Sequence, residues 1–501
     1  MHGYAAHPSR PIGSVCRAVC AGVVVMALSG CVHVAKVPPL SFALPATFTD
    51  QTPSEAPLDM ARWWLAFDDR QLDSLIDLAL VRASDIKIAR DRLDAARAER
   101  ARAVRQYDPQ GGITGNGQWQ YQHQVSGDVY LPNLPINVPA VPLGSGSSMN
   151  LGFGVTWEVD VFGRRGATGV VAGAETAAAR YELMAARAAV VANVADALFR
   201  ARYQMVELGR AQDRLKADQA ELAAMDDRIA AGMAPAIDRT GAVLQANASA
   251  ARVAAARGNL AETKREILLL IGEGTASLDS LVVAPVLRDP PAVPTTAPAD
   301  LLARRPDVGE ARADLVRALG QQALARLDLL PHFSIGPGAS LTGQSRPGEA
   351  FTTSIWSLAL QATLPVLDRG RLLAEKHASD ARLTSAIDSF EKTVQTAFGE
   401  TDSVLVQLKA DTARLDLFAR SARTAGEQVA ALREAVDAGM VDPGQLRVAL
   451  RQQDGAQGDA DFARLQALRR TIQAFKALGG GWDPADTGMA TQAAAPGKHD
   501  G

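Results

Sequence analysis

Glu158 and Asp160 are the residues whose type and spacing come nearest to catalytic chemistry. Two carboxylates two positions apart in an alternating segment share one strand face, an arrangement that can divide acid and base work. A channel strand needs polar side chains on one face for lining alone, and the alternation around this pair favours that use. Other candidates are sparse. His33, His123, His332, His377 and His499 are scattered along the chain, without the grouping a zinc site needs. Gly479–Gly481 follows a helical segment instead of opening one, so it makes no phosphate cradle. No nucleophile motif stands out, so the chain reads as no enzyme, and no cofactor or metal is expected. The formal net charge of −3 gives no basic footprint for nucleic acid.

The cysteines are more telling. Cys16, Cys20 and Cys31 all lie at the N-terminus. Arg10 and Arg17 precede an apolar run from Ala18 to Leu28, and no acidic residue occurs before Asp50. A positive start, a short apolar stretch and small residues before a cut describe a secretory signal over 1–30. The run is too short to span a bilayer as a helix. It ends in Leu28-Ser29-Gly30-Cys31, which resembles the lipobox of bacterial lipoproteins. Cleavage there removes Cys16 and Cys20, makes the chain more acidic, and leaves one thiol at the new N-terminus. That Cys31 is expected to carry an S-diacylglycerol and an N-acyl chain, with no disulfide possible afterwards. Val32 occupies the position where an Asp tends to hold lipoproteins at the inner membrane, so the resemblance favours the outer membrane. Past the signal, no apolar run of about 18 residues suggests a transmembrane helix.

These features need elements to position them, and the elements come twice. Landmarks recur about 205 residues apart: Phe162 with Leu367, and Ala231–Met233 with Ala438–Met440. Aromatic residues are only 5% and charged residues 21%, a mix that suits long packed helices more than a large aromatic core. Strands are expected over 112–125, 149–162, 332–342 and 354–366. Met149, Leu151, Phe153, Val155 and Trp157 alternate with polar or glycine positions up to Glu158 and Asp160. Gln118, Gln120 and Gln361 mark the polar face of two others. Strands of about 10–13 residues are long enough to cross a membrane at a tilt. Four cannot close a barrel, and every backbone group in lipid must be paired, so the chain must oligomerise. The Pro- and Gly-rich surplus Leu131–Ser147 reads as an external loop, either a lid or a plain surface loop.

Long helices are expected over 166–231 and 371–438, with return helices over 236–272 and 444–478. Heptad positions Val194, Leu198, Ala201, Met205 and Leu208 in one, and Phe390, Val394, Ala397, Val404 and Leu408 in the other, indicate coiled coil. A helix of about 65 residues rises roughly 100 Å. Each return is shorter, so 71–106 and 300–330 are expected to continue it. Gly232, Met233, Gly439 and Met440 then mark the ends farthest from the strands. The glycines are expected to cap helices, and an exposed tip is also where a partner would dock. The organisation expected is a signal over 1–30, one repeat over 31–290, a second over 291–482, and a polar tail over 483–501.

ARWWLAFDDRQLDSLIDLAL (61–80), WEVDVFGRR (157–165), LLARRPDV (301–308), LPVLDRGR (364–371) and KALGGGW (476–482) together resemble the outer membrane factors of tripartite efflux systems. The resemblance covers residues 31 to 482. It implies a mixed α and β, TolC-like homotrimer, with a twelve-stranded outer-membrane β-barrel continuous with a long periplasmic α-barrel. It implies a passive exit duct for drugs or other small toxic compounds, lipid-anchored and barrel-inserted among outer-membrane lipids. A periplasmic adaptor would dock at the tips, and an inner-membrane pump of the resistance–nodulation–division type would supply energy. Relatives often carry a Leu and, four residues on, an Asp after the second tip; here Leu446 is followed by Leu450. Asp238, Asp442 and Arg451 are the remaining gate candidates, since charged rings at a pore mouth gate ions. A solvated helix face explains each of them equally well.

A protein-export duct is the alternative within transport, and the lipobox favours efflux over it. An envelope spacer would not need the barrel hairpins, and a cell-wall enzyme would need catalytic groupings.

Overall fold

The structure is a computed structural model and describes residues 34–49, 59–121, 145–294, 298–300, 304–346 and 349–482. The signal with Cys31, residues 122–125 of the first expected strand, loop residues 131–144 and the tail 483–501 lie outside the described residues. The elements in chain order are α1 (Arg70–Arg82), α2 (Ser84–Arg105), β1 (Gln110–Tyr121), β2 (Ser145–Glu158), α3 (Arg164–Ala230) and α4 (Asp238–Leu270). Then follow α5 (Pro306–Leu327), β3 (His332–Arg346), β4 (Glu349–Thr363), α6 (Arg369–Asp437) and α7 (Pro443–Ala477). The long helices α3 and α6 have 67 and 69 residues. No helix among the described residues is long and apolar enough to cross a membrane.

Two compact units cut across the sequence repeats. Among the described residues, one holds those of 34–38, 96–175 and 315–386; the other holds those of 39–95, 176–314 and 387–482. The first unit is built on one antiparallel sheet in the order β1-β2-β3-β4. Strand β2 of the first repeat pairs with β3 of the second, which is why the repeats are not separate bodies. Behind the sheet, Ala167 of α3 packs with Ala323 and Leu327 of α5, with Val34 and Phe162 against them. Gly320 lets α5 approach α3 closely, since a Cβ there would lie 2.7 Å from Val171.

The second unit carries the main core. A short 3-10 segment, Met60–Phe67, places Trp63 against Phe475 of α7, stacked at 5.1 Å and 14°. Leu72, Ile76, Leu198, Ile267 and Leu468 complete this core, each fully buried and each contributing about 1.5–3 kcal/mol. The C-terminal glycines close on the same core. Gly481 donates its backbone N–H to the Met60 carbonyl at 2.9 Å. Gly479 has φ 77°, and a side chain there would strike the Arg304 backbone at 2.7 Å. Trp482 Nε1 donates to the Arg304 carbonyl at 3.0 Å. Arg305 holds Asp307 and Glu400 at 2.6 and 2.8 Å. Three of the sequence motifs therefore meet in one place to tie the chain's helices together.

The heptad positions named above are all buried or half-buried along α3 and α6. Strand and helix ends differ from expectation. Strand β2 starts at Ser145, so residues 145–147 of the expected loop are strand, and it ends at Glu158 instead of 162. Strands β3 and β4 pair as far as Arg346 with Glu349, much closer to their turn than expected, and β4 ends at Thr363.

Candidate functional site

The sheet's register decides which side chains share a surface. Paired residues in neighbouring strands point the same way. Ile113 pairs with Phe153, Phe153 with Ala339, and Ala339 with Trp356, giving one apolar row across all four strands. Trp157, Ile335 and Leu360 form another. This face is open: Ile113, Leu360 and Trp356 are 75%, 72% and 85% exposed. The opposite face carries Thr114, Asn116, Gln118 and Gln120 of β1, with Asn150 paired to Asn116 and Thr342. Glu158, Ser334 and Gln361 make a polar row at its helix-proximal end. Four expected lining residues, Gln118, Gln120, Glu158 and Gln361, thus share one face. Phe351 and Ile355 also fall on it, opposite Gln344 and Ser340.

Asp160 does not line that face. Its carboxylate accepts from the backbone N–H groups of Gly163, Arg164 and Arg165 at 2.8, 2.7 and 2.9 Å, the capping that starts α3. Gly163, with φ 86°, supplies the turn between. Glu158 therefore has no carboxylate partner on its face. It lies 3.8 Å from both Arg164 and His332, and Arg164 also binds Asp328 at 2.7 Å. This charged collar joins β2, α3, the turn that follows α5, and β3. Trp157 Nε1 donates to the Tyr107 carbonyl at 3.1 Å, and the Tyr107 hydroxyl meets Thr168 Oγ1 at 2.9 Å, bracing the same junction. Arg164 belongs to a quoted motif, whereas Asp328 carried no sequence signal.

The two helix turns are alike. Gly232 N donates to the Ile229 carbonyl at 2.9 Å and Met233 N to that of Arg228 at 2.8 Å. Gly439 N donates to Val436 and Met440 N to Ala435, both at 2.9 Å. Each is a Schellman motif with its glycine at φ 70°, the left-handed conformation that glycine adopts without penalty. The methionines that follow are largely exposed. Gly232 and Gly439 are therefore helix caps, and the exposed surface belongs to Met233 and Met440.

The gate candidates are dispersed. Asp442 caps α7, accepting from Gly444 N at 2.8 Å, so its carboxylate is engaged locally. Asp238 sits in the first turn of α4, where a negative charge suits the helix dipole. Arg451 lines a groove between α3 and α7 with Arg210, Arg214 and Arg447. Sequence reading missed Asp218, a buried acid on α3. It accepts from Arg214 Nε at 3.1 Å, Gln245 Nε2 at 3.3 Å and, more closely, the Ser249 hydroxyl. Burial alone would raise this carboxyl, but the bonds from Ser249 and Arg214, and the arginine's charge, outweigh it and hold it below the usual range. Among the described residues no cluster of metal-ligating side chains occurs.

A family model described as outer membrane efflux protein matches residues 75–273 and 297–480. OpmQ of Pseudomonas aeruginosa, described as a pyoverdine export outer membrane protein, is 28% identical over 447 residues, covering 86% of this chain and 90% of its own. The outer membrane protein OprJ of the same species is 28% identical, covering 85% and 88%. The open state of the MtrE outer membrane channel of Neisseria gonorrhoeae superposes with a TM-score of 0.72 at 23% identity, over 90% of this chain and 99% of that one. The last match shares the fold of an outer-membrane channel, and the apolar and polar sheet faces are what such a channel presents to lipid and to lumen. With two family segments spanning most of its length, the chain belongs to the outer membrane efflux proteins, a family of ducts and not of enzymes.

Proposed function

We propose that three copies of this chain assemble into a lipid-anchored exit duct that conducts small toxic compounds passively outward. The observation that carries the assembly is the state of the sheet. Strands β1 and β4 are its two edges, with unpaired backbone groups along one side of each. A wide apolar face flanks those edges. Neither feature is tolerable in lipid unless β4 of one copy pairs with β1 of the next. Three copies close a barrel of about twelve strands, with Gln118, Gln120, Glu158 and Gln361 toward the lumen.

Cys31 is the proposed site of acylation. Val34 packs on the same small cluster as Phe162, and Cys31 precedes it by three residues in the sequence. A lipid on Cys31 would add a membrane anchor to the barrel. The exposed Met233 and Met440 are proposed to meet a periplasmic adaptor, and an inner-membrane pump would supply the energy. Asp238, Asp442 and Arg451 could contribute charge near the mouth, with Asp442 the weakest candidate because its cap contact occupies it.

Native mass spectrometry of detergent-extracted protein, with planar-bilayer conductance on the same sample, tests the reading. An acylated trimer with discrete conductance supports it. A non-conducting monomer overturns it. In-cell crosslinking of Met233→Cys and Met440→Cys then identifies the docking partner, and recovery of an ATP-driven exporter would move the cargo to proteins.

A further inference from the structure

Two connected hollows flank α3 in the second unit. One, of about 530 Å³, is lined by α3 and α7; the other, of about 590 Å³, adds α4. They share Arg210, Arg214 and Asp454, so they form one groove. Each half lies within the size range of small-molecule sites.

The groove's charge is unbalanced in one direction. Its acids Glu207, Asp213 and Asp218 are occupied by Arg210, Lys216 and Arg214. That leaves Glu221 and Asp454. Against these two stand Arg228, Arg252, Arg447 and Arg451, whose side chains make no hydrogen bond or ion pair among the described residues. Arg210 is already paired with Glu207 and adds no net charge, but it brings donors without acceptors. It is mostly buried, with Asp461 at 3.5 Å, yet its Nε and Nη1 have no hydrogen-bond acceptor. Buried donors of this kind normally find a partner.

The groove also has apolar walls and is held open. Ala217, Ala224, Met225 and Leu450 lie between the arginines. On α7, Gly458 makes room for Arg210, because a Cβ would sit 2.9 Å from its Nη1. Gly455 meets nothing within 4 Å, although a mid-helix glycine weakens a helix. Its absent side chain leaves space in the groove.

We propose that this groove binds an anionic ligand with a flat apolar body, an aromatic carboxylate. Guanidinium groups pair with carboxylates in bidentate fashion and stack on aromatic faces, and the alanine, methionine and leucine side chains offer apolar contact. The site goes beyond the duct reading and does not rest on it.

The test uses full-length protein in detergent and 1-naphthoate as the probe, followed by ligand-observed NMR and calorimetry. Saturable binding is expected above the detergent-only baseline. The R447Q/R451Q double variant should bind about tenfold or more weakly, and 1-naphthylmethanol, which lacks the charge, should be weakened similarly. Arg447 and Arg451 hold nothing in the fold, so the double variant should keep its circular dichroism. Gly455→Leu fills the space while keeping every charge and should also abolish binding. Absence of saturable binding overturns the proposal. So does equal binding of the uncharged analogue, or unchanged affinity in both variants. Conductance recorded on the unsubstituted protein reads the duct separately, so a conducting protein that ignores naphthoate refutes the groove alone.

Discussion

The arms α3–α4 and α6–α7 end in the same turn but are fastened differently. Both tips use a left-handed glycine and the same pair of backbone hydrogen bonds. Above the tip, the first arm is bridged by polar side chains: Asp218 of α3 takes Gln245 and Ser249 of α4, and Asp226 takes Arg239 at 2.7 Å. The second arm has Asp411 with Arg470 at 3.1 Å well back from its tip. Between there and its tip, no described side chains form a polar bridge from α6 to α7. Leu415 and Phe418 pack on Ala463 and Ala467, and Gly426 closes on Gln453, where a Cβ would lie at 3.4 Å. Equal turns with unequal fastening mean that the second arm should separate at lower cost.

Removing Asp218 should erase most of that difference. Asp218→Ala leaves Arg214 and Ser249 without their shared acceptor in a buried place, a loss of about 3 kcal/mol. Hydrogen exchange by mass spectrometry should show faster exchange over α4, with α6 and α7 unchanged. Equal protection in variant and wild type would mean that Asp218 does not set the contrast. Acid should act in the same way. The Asp218 carboxyl is held low in the folded state, so its contribution is complete above about pH 4, the unfolded value, and is lost as pH falls through the folded value. Exchange in the first arm should therefore approach that of the second only below about pH 4.

The glycines test the shared part. A Cβ at Gly232 or Gly439 meets nothing within 4 Å, so only the left-handed backbone opposes it. Gly232→Ala and Gly439→Ala should each cost about 1–2 kcal/mol of local protection, and by equal amounts. A large inequality would show that the two turns are not the same device.

The turns were legible because a proline-free heptad run ending in Gly-Met admits few alternatives. The sheet faces were legible because period two assigns every residue to a side, and the register joined those sides across four strands. Asp160 was misread for the same reason: alternation continues through Val159 and Val161, although the strand ends at Glu158. Period cannot mark the end of a strand when the next turn is built by a cap. Asp218 was invisible because its partners Gln245 and Ser249 lie beyond the tip, and only folding the arm brings them together. Asp69 and Arg202 are hidden in the same way. They form a buried pair 133 residues apart, and each alone looks like a solvated helix charge.

Asp442 belongs to the second tip only. It accepts from Gly444 N with Pro443 in the first turn, whereas the N-cap residue of α4 is Ile237, which makes no side-chain cap. Asp442→Ala should cost the start of α7 about 1 kcal/mol and leave the first arm untouched. Exchange over 443–450 reads it directly, and an effect reaching α4 would mean that the arms are coupled.

The smallest expected effect is at Arg239. Its pair with Asp226 is about half exposed on both sides, and such surface pairs contribute little and weaken with salt. Arg239→Gln should raise exchange near the first tip slightly in low salt and not at all in about 1 M salt, where the Debye length is about 3 Å. If the variant instead loosens the whole first arm, or does so independently of salt, the fastening lies at the tip and not at Asp218. The contrast between the arms would then have a different origin from the buried carboxylate.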